Sequence, residues 1–152
     1  MEYNPPQANR VGVFMTSTTS NVVDRRGELL AELLLQELAP QFLVQPTTDT
    51  LGYDLLAGFA NQQGGVNSYA VQVKATEKPI GDFYRFRRSD FDRFVHSNLP
   101  TLLLVVDVKR NQLGYGWLRE QNIVRTGDDY VDLGLKPIDE REKESLLEHV
   151  TR

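Results

Sequence analysis

The chain has 152 residues, 40% of them hydrophobic and 25% charged, with a formal net charge of -4. That is one domain's worth of chain with enough apolar content for a core, and it argues against wholesale disorder. There is no cysteine and there are only two histidines, His96 and His149, which excludes disulfides, thiolate metal sites and cysteine nucleophiles and leaves oxygen donors as the expected metal ligands. The net acidity disfavours a surface that grips nucleic acid all over, while leaving room for a local basic groove.

Residues 1–20 read as an N-terminal tail rich in Asn, Pro, Gln, Thr and Ser, with residues 11–15 as a short edge segment and residues 16–21 as helix N-cap candidates. The start lacks a basic region followed by an apolar one, so no secretory signal is expected. The longest apolar run, from Leu102 to Val106, is too short to cross a bilayer, and a cytoplasmic location is expected.

Residues 22–38 predict the main helix. Leu29, Leu30, Leu33, Leu34 and Leu38 form an apolar arc, with Glu28, Glu32 and Gln36 on a polar stripe. Pro40 ends it, and Gly27 inside it suggests a close approach by another segment. Short strands are predicted at residues 42–44, 53–60 and 68–76, the last two separated by the turn at residues 61–65. In the third strand Gln72, Lys74 and Thr76 share the face opposite Tyr69, Val71, Val73 and Ala75. Ser89 to Asp92 has the form of a capping box, predicting a second helix to about Asn98. Residues 101–108 read as a central strand covered on both faces, residues 115–118 and 130–133 as shorter strands, and residues 139–150 as a terminal amphipathic helix. The expected class is α/β, with a mixed central sheet flanked by helices, in one domain spanning residues 21–152.

Phosphate-binding glycine loops, nucleophile elbows and H-E-x-x-H motifs are absent from the sequence. The residues that invite chemistry are Glu28 on the helix, Asp54 in an otherwise apolar strand, and Gln72 and Lys74 on one face of the next strand. A buried charge needs a partner or a metal. Asp54 and Lys74 either satisfy each other as a salt bridge or meet across a metal ion and a phosphate. Glu28 and Glu32 taken alone read as solvated helix residues, and Asp49 as a turn residue. Arg85, Arg87, Arg88 and Arg93, interleaved with Phe83, Tyr84 and Phe86, form either a phosphate-contacting surface or a solvated loop with inward-packed aromatics. His96 and His149 read as surface or helix-end residues, and Trp117 as core.

The order of a helical Gly27-Glu28, Gly52-Tyr53-Asp54, a hairpin and Gln72-Val73-Lys74 resembles the PD-(D/E)xK nuclease superfamily, and more narrowly a family of small bacterial proteins of unknown function assigned to that fold. The resemblance covers about residues 26–107. It implies a restriction-endonuclease-like fold and hydrolysis of phosphodiester bonds in DNA, in defence or repair. It further implies Mg²⁺ or Mn²⁺ held by Asp54, Glu28 and the Val73 carbonyl, with Lys74 acting on the attacking water and the phosphate. Nucleic acid, DNA first, is the implied partner, with Arg85, Arg87 and Arg88 as contacts. A homodimer would supply two sites for a double-strand cut. Gln72 departs from the pattern, which usually has Asp or Glu there; its neutral oxygen removes one negative charge and lowers the expected metal affinity. The alternative is a non-hydrolytic nucleic-acid-binding or protein-interaction module that keeps the fold.

Overall fold

The computed structural model describes residues 4–46 and 52–152, with side chains from Asn21 onward. Helix α1 spans Asn4–Glu37, so it continues N-terminal of Val22. The helical backbone runs through residues 11–21, where an edge segment and N-caps were expected. The two prolines at positions 5 and 6 fall in its first turn, where a missing N–H has no helical acceptor to lose. Asp49 lies outside the described residues.

Strands β1 (Phe42–Val44), β2 (Leu55–Ala60) and β3 (Val66–Thr76) follow as an antiparallel meander. β4 (Phe83–Arg87) leads directly into α2 (Arg88–Val95). β5 (Thr101–Asp107) and β6 (Gln112–Trp117) form a hairpin, followed by β7 (Ile123–Thr126), β8 (Tyr130–Gly134), β9 (Lys136–Pro137) and α3 (Glu140–Val150). The central sheet has six strands in the order β1-β2-β3-β5-β6-β9. It is mixed, because β3 and β5 pair in parallel while its other neighbours are antiparallel. β4, β8 and β7 form a separate three-stranded antiparallel sheet. The fold is therefore α/β with a mixed central sheet, as expected. No helix among the described residues is long and apolar enough to cross a membrane.

Two cores sandwich the central sheet. On one face Ala31, Leu34, Leu35 and Leu38 of α1 and Leu146 and Val150 of α3 pack onto Val71, Val73, Leu102, Leu104 and Val106. On the other face Leu103 and Val105 meet Phe91 and Phe94 of α2 and Phe86, Val131 and Leu133 of the small sheet. β5 is buried throughout, which accounts for its unbroken apolar run.

Three local expectations are corrected. The buried side of α1 is Gly27, Ala31, Leu34, Leu35 and Leu38, whereas Leu29 and Leu33 are exposed. The helix meets the sheet through its small residues, since an ideal Cβ on Gly27 would lie 2.7 Å from the Ala75 Cβ. The capping box does not form. α2 begins at Arg88, no side chain caps it, and it stops at Val95 rather than near Asn98. Residues 83–87, read as either a phosphate-contacting surface or a solvated loop, form strand β4, whose pairing with β8 turns Tyr84 and Phe86 inward and Arg85 and Arg87 outward.

Candidate functional site

Two of the candidates, Asp54 and the backbone of Val73, meet where β2 begins beside β3. The register pairs Leu55, the first residue of β2, with Val71, and the Asp54 N–H donates to the Val71 carbonyl at 2.9 Å. Asp54 thus stands just before β2, not within it as the sequence suggested. Its carboxylate Oδ2 accepts from the Val73 N–H at 2.7 Å. In an extended strand a residue's N–H and C=O point to the same edge. The Val73 carbonyl therefore also faces the side of β3 that β2 has left, where Asp54 lies. The preceding Gly52 has φ +80°, a backbone that residues with a Cβ rarely adopt. Beside it lies Arg93 of α2, with its Nε 3.5 Å from where a Gly52 Cβ would sit.

Gln72 and Lys74 share the β3 face opposite α1, in register with Leu103 and Val105 of the second core. Gln72 Oε1 is buried and has no hydrogen-bond partner among the described residues. An orphaned acceptor of this kind costs about 1–3 kcal/mol, so it calls for an explanation such as a ligand or an ion. It lies one residue from the backbone that holds Asp54.

Glu28 lies in the other layer, on α1. Arg26, on one flank of α1, donates to the Val108 carbonyl at 3.1 Å and to Asn111 Oδ1 at 2.8 Å, at the β5–β6 turn. At 100° per residue, Glu28 and Glu32 fall on the opposite flank, toward the β2 side of the sheet. The adjacent Gly27 stacks on Ala75, the residue after Lys74. Glu28 is 29% exposed and accepts from Arg25 Nη1 at 3.3 Å. It flanks the packed stripe rather than facing away from it. Among the described residues no three His, Cys, Asp or Glu side chains gather as a metal cluster. The one contact that joins two of the candidates is the Asp54 carboxylate on the Val73 backbone; carboxylate, carbonyl and amide oxygens are donors of the kind that suits a hard cation, and this set is poor in charge.

Arg85 and Arg87 lie on β4 of the small sheet, and Arg88 opens α2. Arg87 is exposed. Arg88 donates to Thr126 Oγ1 at 3.0 Å and sits 3.8 Å from Asp92. Arg85 is committed to Asp132, donating from Nε to Oδ1 at 2.9 Å and from Nη2 to Oδ2 at 3.1 Å. Arg125 Nε also donates to Asp132 Oδ2, at 2.9 Å. Asp132 has no exposed surface, and its hydrogen bonds from Arg85, then from Arg125, hold its carboxyl below the usual range despite burial. Sequence reasoning missed Asp132; the available signal was a single acid in a short apolar strand, opposite arginines that needed a partner. Asp107, the other fully buried acid, closes a turn through the N–H groups of Lys109 and Arg110 and the Arg110 guanidinium. His149 stacks on Trp117 with ring centroids 4.8 Å apart, and burial, then Arg119 and Arg152, lower its pKa.

No family model, curated protein or solved structure matches this chain.

Proposed function

We propose that the protein is a metal-dependent nuclease of the PD-(D/E)xK type that hydrolyses phosphodiester bonds in DNA. The observation that carries this reading is the Asp54 carboxylate, 2.7 Å from the Val73 N–H where β2 begins beside β3; the residue before Val73, Gln72, has a buried Oε1 with no hydrogen-bond partner among the described residues. Asp54, the Val73 carbonyl and Gln72 Oε1 would hold Mg²⁺ or Mn²⁺, with Glu28 joining from α1. The ion would supply a Lewis acid for the phosphate and a water of lowered pKa.

The chain's own groups account for the rest. The Val73 N–H fixes one oxygen of Asp54, so the carboxylate is oriented before any ligand arrives. Lys74, an ammonium on a flexible stem, orients the attacking water and steadies the charge that builds on the phosphate. Arg93, beside Gly52, adds a cation on the approach to Asp54. The reading includes a cytoplasmic setting and a homodimer, one site for each strand of a duplex.

The alternative is a non-hydrolytic nucleic-acid-binding or protein-interaction module that keeps the fold. It is favoured by Gln72, which leaves the donor set with fewer negative charges than a carboxylate would. Metal titration and cleavage separate the two. A nuclease cuts labelled DNA with Mg²⁺ and loses cutting in Asp54→Ala. The module binds without cutting, and Asp54→Ala then alters stability alone.

A further inference from the structure

The outward face of the small sheet holds an arrangement that cleavage chemistry does not use. Asp132 lies on the middle strand, and Arg85 and Arg125 reach it from the strands on either side. Arg125 attains that register because β7 bulges between Ile123 and Arg125, which re-aims the strand so that Arg125, rather than Val124, stands opposite Asp132. The two guanidinium side chains remain 54% and 56% exposed although both are pinned. Each also lies against a ring. Arg85 Cζ is 3.8 Å from the centroid of Tyr130, and Arg125 Cζ is 5.0 Å from that of Phe83. Phe83 is itself 41% exposed.

One carboxylate between two guanidinium groups leaves net positive charge, and Arg87 extends it along β4 on the same face. The result is a flat surface of rings and planar cations with their orientation already fixed. An occupant that suits both properties is anionic and carries flat apolar faces. Acidic peptides and phospholipid headgroups offer the charge without the flat faces. A nucleic-acid duplex has flat faces, but its own stack buries them. Unpaired bases offer theirs, and they stack on aromatic rings and on guanidinium planes alike.

We propose that this face binds single-stranded nucleic acid, with bases stacked on Phe83 and on the Arg85–Tyr130 pair and phosphates drawn to Arg125 and Arg87. Asp128 and Asp129 lie in the turn before β8, at the Arg87 end of the face, so Arg125 is the main phosphate contact and Arg87 the lesser one. The proposal rests on the nucleic-acid reading above and names the form of substrate that reading would act on.

The test is fluorescence anisotropy in EDTA, so that no cutting occurs, with a labelled 20-nucleotide oligothymidylate and a duplex of the same length. The single strand should bind on the order of tenfold more tightly than the duplex. Phe83→Ala should weaken single-strand binding about tenfold and Phe83→Trp should restore it; both side chains sit at an exposed position, so the thermal melt should not move. Arg125→Gln should lower the slope of log affinity against log salt by about 0.7. Equal or tighter duplex binding, or Phe83→Ala binding like wild type, overturns the proposal, the latter outcome marking a surface that responds to charge alone. If the platform behaves as described but wild type cuts nothing with Mg²⁺, the catalytic reading fails and the platform stands. If wild type cuts and Phe83→Ala neither binds nor cuts differently, the platform fails and the catalytic reading stands.

Discussion

Gly27→Ala gives a test whose sign separates two accounts of α1. By helix propensity alone, alanine in place of glycine stabilises a helix interior by about 1 kcal/mol. The packing argues the opposite. The new Cβ would stand 2.7 Å from the Cβ of Ala75, against about 3.5–4.0 Å for carbons in ordinary contact. Helix or strand must move by roughly 1 Å, and Ala75 has no rotamer with which to yield. Overpacking costs about 1–3 kcal/mol in general, and a contact with a Cβ that cannot rotate, backed by the Ala75 Cα at 3.4 Å, belongs in the upper half, about 2–3 kcal/mol. Net of the propensity gain, the variant should be about 1–2 kcal/mol less stable, with a melting temperature lower by roughly 2–8 °C. Urea unfolding measures it directly. The double variant Gly27→Ala with Ala75→Gly should recover the contact distance and show a coupling of about 1 kcal/mol or more. Because Glu28 follows Gly27 on the helix, the single variant should also lose cleavage in excess of its lost stability. A Gly27→Ala protein as stable as wild type, or more so, would refute the close helix–strand contact as the device that sets Glu28 beside the end of β3.

Further outcomes follow from the same geometry. Lys74→Ala should abolish cleavage and leave divalent-metal affinity largely intact, because the lysine acts on water and phosphate; parallel loss of both, seen by calorimetry and a cleavage assay, contradicts that role. Gln72→Glu should melt lower than wild type in EDTA, as a carboxylate replaces a buried neutral oxygen. It should gain more from Mg²⁺, about 2.7 kcal/mol at a hundredfold excess over the dissociation constant, and an absence of metal-dependent stabilisation counts against the donor set. His149 is held below its ordinary pKa, so the unfolded chain binds more protons than the folded one beneath about pH 6.5. Its contribution should be complete above that pH and fade as pH falls through the folded pKa. Thermal melts from pH 8 to pH 5 should show this slope reduced in His149→Gln, and an unchanged slope refutes it.

The parts of the fold that could be read from sequence are those where burial alone dictates the pattern. β5 is covered on both faces, and its apolar run announces it. The alternation in β3 correctly separates Gln72 and Lys74 from Val71 and Val73, because one residue of slip would exchange the two faces. α1 was harder to orient. Counting large apolar residues selects Leu29 and Leu33, but the sheet accepts the helix where Gly27 and Ala31 let the backbones approach. β4 was hidden by its arginines. Its period of two is plain once Tyr84 and Phe86 are seen to face the second core, yet such a segment reads equally as a basic loop. In the site, the chain order of Glu28, Asp54, Gln72 and Lys74 says nothing of the distances between them. The bond from the Val73 N–H to Asp54 was not legible, because it depends on where β2 begins. The Arg85–Asp132–Arg125 cluster likewise needs a long-range register and a bulge that no local pattern displays.

The central claim is that the end of β3 beside Asp54 cuts nucleic acid with the help of a divalent ion. The most direct measurement is cleavage of an end-labelled DNA over a Mg²⁺ and Mn²⁺ titration, with wild type, Asp54→Asn and Lys74→Ala purified side by side and matched by their thermal melts. The account predicts metal-dependent cutting by wild type and none by either folded variant, with Asp54→Asn also losing divalent binding. Cutting by all three at equal rates, or no cutting and no divalent binding by wild type at any concentration tested, would contradict it.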